Sequence, residues 1–445
     1  MGNSNSLVKR RKFINQSGDV SRSIFNVSRE ARICKDSLNA YLSLGYVPGE
    51  NTIFEGVKCI GSFFNSDVNS LEELFVGIKD FTHDKNSLKD LIISSVEKTF
   101  SSGNENIVPL SGGMDSRIIL AALCELTEAQ NIHTYTFGVP GSLDFDIANS
   151  LAKNIKTKHQ NFSAGQTEYS IDGLIRAAIA TDGNTEVFHP LVLNRVADFY
   201  GPEVDYWSGF AGDVVGGGFG AKLEGGDAKL ALLSYENRGI HYSDGLNHNF
   251  LDIIGDGEGL KGYVGDVEAC FWANHMERYT EHHLFRNDMN IHAPMISPEF
   301  LKFFFTLNRT KRENKSFFNT SFTEIFPDVF VFPTVDYGYK YSRKNYFYQL
   351  LFTTNYYSRA IGWRLFPSII THPSSAYIDL KNGINNRADI RSCVDILLAD
   401  LMNRNIVDND RVKMFLTKHR ENNGNYTKDL INLASLEVIL KASNR

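Results

Sequence analysis

Three features of the sequence predict an α/β protein with a parallel sheet and a helical C-terminal half. Segments typical of strands alternate with segments typical of helices between residues 87 and 209. A glycine-rich turn, "SGGMDS" at 111–116, joins one such strand to one such helix. From about residue 265 the pattern becomes helical and rich in aromatic residues. Strands that alternate with helices of this length are typical of a parallel sheet covered on both faces.

Each predicted element depends on its periodicity. A helix is predicted where apolar residues recur three and four positions apart, and a strand where a short apolar run is bounded by turn residues. Ser87 is a candidate N-cap for the first helix, because a serine oxygen can accept a backbone N–H bond there. Predicted helices span 87–100, 114–126 and 145–155, and predicted strands span 106–110, 131–139 and 203–209.

Three loops directly follow predicted strands. They read "LSGG" from residue 110, "TFGV" from 136 and "YWSGFAGD" from 206. Ligands of parallel sheets bind at the carboxyl ends of the strands. We therefore expect the three loops to converge on one crevice.

Length and composition exclude several classes of protein. The 445 residues predict about two to three domains, and 42% hydrophobic residues suffice for a large core. A net charge of −6 without a basic stripe argues against a nucleic-acid partner. No apolar run approaches the roughly 18 residues that a membrane span needs. The five cysteines are scattered and include no C-x-x-C pair, which favours reduced thiols in a cytoplasmic protein.

The first residues, "MGNSNSLVKRRK", match the loose pattern for N-myristoylation through Gly2 and Ser6, beside a basic cluster. Two such signals together can anchor a protein to a membrane. The alternative is a polar, frayed terminus, and the sequence leaves both open.

The loop "SGGMDS" has the composition of a phosphate-binding turn. It is neither a Walker A loop nor the dinucleotide motif G-x-G-x-x-G. Ser111 and Ser116 flank its glycines, and Asp115 stands where a P-loop has lysine. An acid beside phosphates indicates Mg²⁺, which prefers carboxylate and phosphate oxygens. The alternative is a tight strand-to-helix turn with Asp115 stabilised by the helix dipole.

"LSGGMDS" resembles the pyrophosphate loop of the ATP-pyrophosphatase families, and its surroundings resemble one branch of them. That branch is the synthetase domain of glutamine-dependent asparagine synthetases, with β-lactam synthetases and lasso-peptide cyclases as relatives. The similarity covers about residues 38 to 340. It extends to four further segments, "YLSLGYVPGENTIFEGVKCI", "TYTFGVPGSLDFDIANSLAKNIKTKHQ", "SGFAGDVVGGG" and "NIHAPMISPEF".

The resemblance implies a fold and a reaction. The fold is an α/β sheet of the adenine nucleotide alpha-hydrolase (PP-loop) type. Residues 1–85 would be a remnant of the glutaminase-like N-terminal domain, and 86–445 the ATP-binding domain, helical from about 265. The enzyme would adenylate a substrate carboxylate with MgATP, release pyrophosphate and form an amide with a nitrogen nucleophile. Positioning and charge neutralisation would carry most of this chemistry.

The resemblance also assigns roles to single residues. Asp115 and Asp213 would bind Mg²⁺ and serve the reaction, together with Lys340. The residues implied for ATP are Ser111, Gly112, Gly113 and Ser116 at the pyrophosphate, Leu110 and Phe137 flanking or hydrogen-bonding the adenine through backbone groups, Gly209 against the nucleotide, and Gly138 as a further cofactor-binding residue.

The sequence departs from the family pattern on the substrate side. A glutamate thought to manage protons in amide formation falls at Phe210, which cannot move a proton. The lysine pair that contacts pyrophosphate falls at Asp336 and Tyr337. Lys340 is the candidate replacement. Arg343 and Lys344 are alternatives. These basic residues could equally form an ordinary solvent-exposed surface with no role in the reaction.

Two further departures lie in "NIHAPMISPEF", which corresponds to a family segment that reads close to Glu-Val-Arg-x-Pro-Phe-Leu-Asp. His292 replaces its arginine, and Ser297 replaces its last acid. Another set of histidines, in "NHMERYTEHHLF", lacks the i, i+4 spacing of a helical zinc site. His275, His282 and His283 are therefore expected at the surface or at an interface.

The nitrogen donor is expected to be something other than glutamine hydrolysed by this chain. Family members that hydrolyse glutamine use an N-terminal cysteine with its own amine, whereas position 2 is Gly2 and the first 40 residues are too few for that domain. Cys34 and Cys59 are internal. The nitrogen would come from ammonia, a separate glutaminase or an amine on the substrate.

Two other functions remain open from the sequence. One is transfer of AMP to a different acceptor, such as a carbonyl oxygen. The other is a catalytically degenerate protein that binds nucleotide and acts as a partner or scaffold. Phe210 and the missing lysine pair favour the second, and intact "SGGMDS" with Asp213 argues against it.

Overall fold

The central feature of the computed structural model is a parallel sheet with helices around it. Within the part of the chain that the structure describes, five strands form this sheet, with all pairings parallel, and from one edge to the other they are Lys158–Ser163, Ile132–Gly138, Asn106–Pro109, Asp205–Trp207 and Asn290–His292. The predicted α/β class is therefore confirmed. The structure describes residues 11–29, 31–60, 74–218, 226–242, 248–332, 334–335, 346–366, 370–372 and 378–444.

Strands and helices are numbered in chain order. The strands are β1 Lys12–Ile14, β2 Val20–Ser21, β3 Lys58–Ile60, β4 Asn106–Pro109, β5 Ile132–Gly138, β6 Lys158–Ser163, β7 Asp205–Trp207 and β8 Asn290–His292. The helices of the first half are α1 Ile24–Val27, α2 Lys35–Leu44, α3 Lys85–Glu97, α4 Asp115–Cys124, α5 Leu143–Ile155, α6 Ile171–Thr181, α7 Val192–Tyr200, α8 Gly212–Val215 and α9 Ala228–Glu236.

The described residues after 265 are mostly helical, as the sequence predicts. A π-helix, Trp272–Thr280, continues directly from the α-helix Asp266–Phe271 and leads into the α-helix Glu281–Leu284. The helices are α10 Asp266–Phe271, α11 Glu281–Leu284, α12 Pro298–Phe305, α13 Arg309–Arg312, α14 Ser316–Ile325, α15 Tyr346–Leu365, α16 Leu380–Asn386, α17 Ala388–Asn403, α18 Asn409–Arg420 and α19 Thr427–Ser443. Among the described residues, no helix combines the length and apolarity that crossing a membrane requires.

The strand order has a switch point beside β4. From β4 the chain first adds β5 and β6 on one side, and then returns to place β7 and β8 on the other. In an open parallel sheet a crevice forms where the order reverses, outside the carboxyl ends of the strands. The loops after β4, β5 and β7 border this crevice, and they are the three loops predicted to converge.

Two strands of the sheet have no counterpart in the sequence prediction. β6 and β8 are its edge strands, and both are largely polar or half-buried. They lack the short apolar run on which strand prediction depends, because an edge strand is covered on fewer sides.

The first predicted helix begins earlier than expected. α3 starts at Lys85, and the Asp84 carboxylate caps it by accepting the backbone N–H of Ser87 at 2.8 Å. The prediction of Ser87 as the N-cap was therefore wrong. The bond from the Ser87 amide holds the pKa of the Asp84 carboxyl below its usual value, and its negative charge suits the positive end of the helix.

The N-terminal segment packs into the C-terminal helices. The strands β2, β1 and β3 form a small antiparallel sheet, and Phe13 and Phe54 share a core with Val394 of α17 and Leu436 of α19. A second core surrounds the parallel sheet and includes Ile107. The division at residue 85 into a remnant domain and a synthetase domain stays a prediction.

Candidate active site

The loops after β4, β5 and β7 enclose an open cleft of about 440 Å³. The predicted convergence of three loops is therefore what the structure has. The cleft is also lined by Tyr235 of α9, Phe271 of α10 and His275 of the π-helix. Of the residues implied for ATP and metal, those that line the cleft are Leu110, Ser111, Asp115, Ser116, Phe137, Gly209 and Asp213.

The first loop is organised by two serine hydroxyls. The Oγ atoms of Ser111 and Ser116 lie 3.0 Å apart, and the Ser111 N–H donates to Ser116 Oγ at 3.2 Å. The Gly113 N–H donates to Ser111 Oγ at 3.2 Å. Ser116 belongs to the first turn of α4, so the loop lies against the positive end of that helix.

Asp144 is a cleft residue that the sequence analysis missed. It stands in the first turn of α5, lines the cleft, and its Oδ1 accepts the Gly112 N–H at 2.8 Å. A carboxylate on this amide shows that the loop can donate to an anion. The signal in the sequence was present, because "SLDF" places an acid just after the helix N-cap Ser142.

The buried side chain of Arg117 holds the first loop in place on the side away from the cleft lining. Its side chain is fully buried and donates to the Gly112 carbonyl at 2.9 Å and to the Phe332 carbonyl at 2.7 Å. The Gly112 carbonyl also accepts the Val335 N–H at 3.0 Å. The first loop is therefore held to Phe332 through the Arg117 side chain and to Val335 by a direct backbone hydrogen bond.

Asp115 makes the contact between the first loop and the loop after β7. Its Oδ2 accepts the backbone N–H of Asp213 at 3.0 Å. Two glycines allow this approach: a Cβ at Gly209 would lie 2.7 Å from the Asp115 carbonyl carbon, and a Cβ at Gly212 would lie 2.8 Å from Asp115 Cγ. Between them Ala211 has a φ of +64°, which is uncommon outside glycine.

Phe210 and Asp213, which follow β7, face the same cleft with different chemistry. Phe210 is buried and packs edge-on against Phe285, with ring centroids 5.1 Å apart. Asp213 is exposed at the start of α8. The first supplies an apolar wall and the second a charge.

Some predicted site residues lie elsewhere. Gly112 and Gly113 belong to the first loop and Gly138 ends β5, and the described lining of the cleft does not include them. Lys340, Arg343 and Lys344 lie outside the described residues, as do Gly2 and the segment with Asp336 and Tyr337. Their roles stay predictions.

The histidines of the π-helix and α11 were expected at the surface or at an interface, and a surface position is wrong for His282, whereas His275 and His283 are half-buried where other segments meet them. His282 is only 1% exposed, and burial holds its pKa well below the usual value. His283 Nε2 lies 2.7 Å from Thr185 Oγ1. His275 lines the cleft, and its Nδ1 lies 2.5 Å from Glu236 Oε1. Helical spacing alone did not reveal these partners, because they come from distant segments.

His292 and Ser297, which depart from the family pattern, have structural partners. His292 Nε2 lies 2.9 Å from Asp205 Oδ1 on the neighbouring strand, and its ring stacks on Trp207. Ser297 caps α12 by accepting the Phe300 N–H. His292 thus supports the edge of the sheet, and Ser297 the start of α12.

Comparison with known proteins identifies the region around the first two loops. Residues 87–186 match the family model described as asparagine synthase. The chain contains an asparagine synthetase-family domain. The match to this synthetase domain runs from α3 through α6 and includes the loops after β4 and β5.

A comparison with whole proteins finds a relative that carries a similar name. The chain is 23% identical over 213 residues to a protein of Methanocaldococcus jannaschii named "Putative asparagine synthetase (glutamine-hydrolyzing) 2". The aligned region is 45% of this chain and 41% of that protein. The chain thus spans less than half the length of this relative.

Proposed function

We propose that the protein is an ATP-dependent ligase that forms an amide bond through an acyl-adenylate. The observation that carries the proposal is the contact between Asp115 and the Asp213 amide, which brings two separate loops and their carboxylates to one cleft. The asparagine synthetase-family domain supports ATP-dependent amide formation as the class of reaction.

The first loop suits the phosphates of ATP. The amides of Gly112 and Gly113 and the hydroxyls of Ser111 and Ser116 lie at the positive end of α4, where an anion is stabilised. In this proposal the phosphate takes over the Gly112 amide from Asp144.

Leu110 and Phe137 would flank the adenine from the ends of β4 and β5. The Leu110 N–H already donates to the Tyr135 carbonyl at 2.7 Å. Contact with adenine would therefore use the Leu110 side chain rather than its amide. Phe137 stacks with Tyr135, with centroids 6.2 Å apart, and presents a half-buried ring beside the cleft.

The acidic residues of the cleft fit a magnesium ion. Asp115, Asp144 and Asp213 all line it, and a polyphosphate beside three carboxylates needs a cation. Asp115 and Asp213 would hold Mg²⁺, which when bound would neutralise phosphate charge and polarise the α-phosphoryl group. Within the described ranges, no three His, Cys, Asp or Glu side chains are arranged to hold a metal ion. We therefore expect the ion to bind together with ATP.

The proposed reaction has two steps. An oxygen of the substrate carboxylate attacks the α-phosphorus, the bond to pyrophosphate breaks, and the acyl-adenylate forms. An amine nitrogen then attacks the acyl carbon, and AMP leaves with the electron pair of the C–O bond. The chain contributes by orienting the reactants and excluding water.

Ammonia, a separate glutaminase or an amine on the substrate would supply the nitrogen. Cys59 is buried, and burial raises the pKa of its thiol, which disfavours the thiolate that would attack glutamine. Cys34 is internal, at the start of α2. Purified protein with glutamine should release no glutamate above the blank, and glutamate production that is lost on mutating either cysteine would contradict this assignment.

A second candidate function is nucleotide binding without amide formation. The packing of Phe210 against Phe285 favours it, because an apolar ring occupies the position of the family's proton-handling glutamate. MgATP binding without pyrophosphate release for any carboxylate would select this candidate.

Calorimetry with Asp115→Asn and Asp213→Asn tests the proposal. Each variant should lose at least about tenfold in affinity for MgATP, because an ionised ligand of the ion is removed. Asp410→Asn is the matched control, since Asp410 is also an acid in the first turn of a helix but lies on α18. Unchanged MgATP affinity in both cleft variants would contradict the metal assignment.

The role of Lys340 needs a kinetic measurement. If its ammonium group stabilises the pyrophosphate that leaves, Lys340→Ala should lower the rate of pyrophosphate release by about a hundredfold. An equal loss from Arg343→Ala or Lys344→Ala, with no loss from Lys340→Ala, would reassign the role.

A further inference from the structure

A second cavity lies behind the nucleotide cleft. It has a volume of about 340 Å³ and adjoins the cleft at Tyr235 and His275, which line both. We call it the amine cavity. Its walls come from the end of α2, the α6–α7 connection, α9, the π-helix and α19, and the lining residues used below are Glu186, Glu236, Arg238, His275, Tyr279 and Lys428.

The charges of the amine cavity are arranged by depth. Glu186 and Glu236 are buried in its wall, whereas Arg238 and Lys428 are exposed. A ligand with a cationic end and an anionic end complements this arrangement. A volume of about 340 Å³ is within the range of small-molecule sites and far exceeds the roughly 30 Å³ of a water-sized molecule such as ammonia.

The two buried carboxylates differ in their partners. The Glu186 carboxylate accepts the N–H of Phe188 at 2.8 Å and lies 2.6 Å from His189 Nδ1 and 3.1 Å from His283 Nε2. Glu236 Oε1 lies 2.5 Å from His275 Nδ1 and accepts a hydrogen bond from the Tyr46 hydroxyl at 3.3 Å. Glu186 is thus fixed by its own neighbours, and Glu236 is the carboxylate that is linked to His275.

His275 is oriented as a base would be. When Nδ1 donates to Glu236, Nε2 of the neutral ring is the proton acceptor. The ring is held between aromatic neighbours, stacked on Phe271 at 4.5 Å and 5.1 Å from the Tyr279 ring centroid. His275 also lies within the π-helix Trp272–Thr280, and π-helical turns are rare and frequently found at functional sites.

We propose that the amine cavity binds the nucleophile as an amino acid-like zwitterion, with its ammonium group at Glu236 and its anionic end at Arg238 and Lys428, and that His275 is the base for its attack. This inference rests on the proposed amide-forming function. The ammonium ion gives one proton to His275 and becomes the neutral amine. The N–C bond forms as the acyl C–O bond breaks, AMP leaves with that electron pair, and the second N–H proton passes to water.

The base assignment accounts for Phe210. The cleft needs a group that can accept a proton, and Phe210 cannot do so. His275 provides one on the other side of the same cleft, beside the cavity that would deliver the amine.

Binding to the cavity can be measured without turnover. His275 would be observed by NMR in protein labelled at its histidine rings and assigned by loss of its signal in His275→Gln. The probes are ω-amino acids from glycine to 6-aminohexanoate and alkylammonium ions of the same carbon number, against sodium chloride of equal ionic strength. One ω-amino acid should shift the His275 signal saturably and bind about two- to fivefold tighter than its alkylammonium match.

Variants separate the two ends of the ligand. Glu236→Gln should weaken every probe by about tenfold or more, because a charged acceptor is removed. Arg238→Gln should abolish only the preference for ω-amino acids. His241→Gln is the control, since His241 also pairs with a carboxylate, Asp429, at 2.9 Å but lies outside the cavity lining. No saturable shift, or equal binding of the two probe series, would overturn the inference.

A kinetic arm tests His275 as the base. Wild type and His275→Gln would be compared in ATP–pyrophosphate exchange, and in product formation with hydroxylamine or the best ω-amino acid. Hydroxylamine is largely unprotonated at neutral pH, so amide formation with the ω-amino acid should fall at least about a hundredfold more in the variant than exchange and hydroxamate formation do. An equal fall in all three rates, or no fall in amide formation, would overturn the assignment. Absence of exchange in wild type would refute the proposed function, and the NMR result would still decide the cavity.

Discussion

The nucleotide cleft and the amine cavity share Tyr235 and His275, yet the chain builds them in different ways. The side of the cleft that we propose for phosphate comes from loops that follow neighbouring strands, so each loop carries its residues in one short stretch. The amine cavity collects single residues from segments that are far apart between Leu44 and Asn432. A site made of loops can be read from motifs, whereas a site made of helix faces depends on tertiary packing.

Replacement of Arg117 by methionine should have the largest effect on stability of the substitutions that distinguish the two sites. It leaves the Gly112 and Phe332 carbonyls without their buried charged donor, so we expect the free energy of unfolding to fall by about 3 kcal/mol or more. Urea-induced unfolding measures the change. Arg391→Met, at an exposed position of α17, should stay within about 0.5 kcal/mol of wild type.

The same variant also tests whether the two sites are separable. MgATP affinity should fall in Arg117→Met, because the first loop loses its support. The His275 signal should still respond to ω-amino acids. Loss of both responses in a folded variant would show that the cleft and the amine cavity behave as one unit.

Gly209→Ala should have the next largest effect. The new methyl group would lie 2.7 Å from the Asp115 carbonyl carbon, so the loop after β7 must move away from α4. We expect a loss of about 2 kcal/mol in stability and weaker MgATP binding. Gly103→Ala is the control, because its methyl group would meet nothing closer than 3.8 Å. Unchanged MgATP affinity in Gly209→Ala would contradict the close approach of the two loops.

His189→Gln should have the smallest effect on stability. The effect arises in the wall of the amine cavity and depends on pH. Desolvation opposes charge on the His189 ring although its side chain is 45% exposed, and the Glu186 carboxylate outweighs this and raises the pKa of His189. Burial likewise opposes charge on Glu186, and His189 and His283 outweigh it and hold its pKa well below the usual range.

The signs of these shifts fix the pH window. Stabilisation by protonated His189 is complete below its ordinary pKa of about 6.5 and is lost as the pH rises through the raised folded value. Stabilisation by ionised Glu186 is complete above its ordinary pKa of about 4.3 and is lost as the pH falls through the lowered value. The free energy of unfolding of wild type should therefore exceed that of His189→Gln near pH 6, by less than about 1 kcal/mol. The difference should shrink towards both lower and higher pH. In a Glu186→Gln background the pH dependence should vanish.

Sequence reasoning found the parts of the fold that are set locally. β4, β5 and α4 follow from apolar runs and helical periodicity, and the loop between β4 and α4 from its glycines. It missed β6 and β8, because edge strands need no apolar run.

The candidate site was predictable to the same extent and for the same reason. The sequence indicated Asp115 and Asp213, which stand in short motifs, and the structure joins them. It could not indicate that His275 meets Glu236, since these residues are 39 positions apart on different helices. A pairing of this kind is fixed by how helices pack, and no periodicity within either helix records it.

The π-helix Trp272–Thr280 bears on how such a pairing can arise. A π-helical turn holds one residue more than an α-helical turn, so an inserted residue can be absorbed without displacing the helices on either side. Every side chain within the widened turn is then rotated relative to the flanking helices. A change in length, rather than an exchange of one side chain for another, could thus have turned an imidazole towards a ready-made acidic partner. Descent by insertion would leave the ancestral residues in place and give them new neighbours.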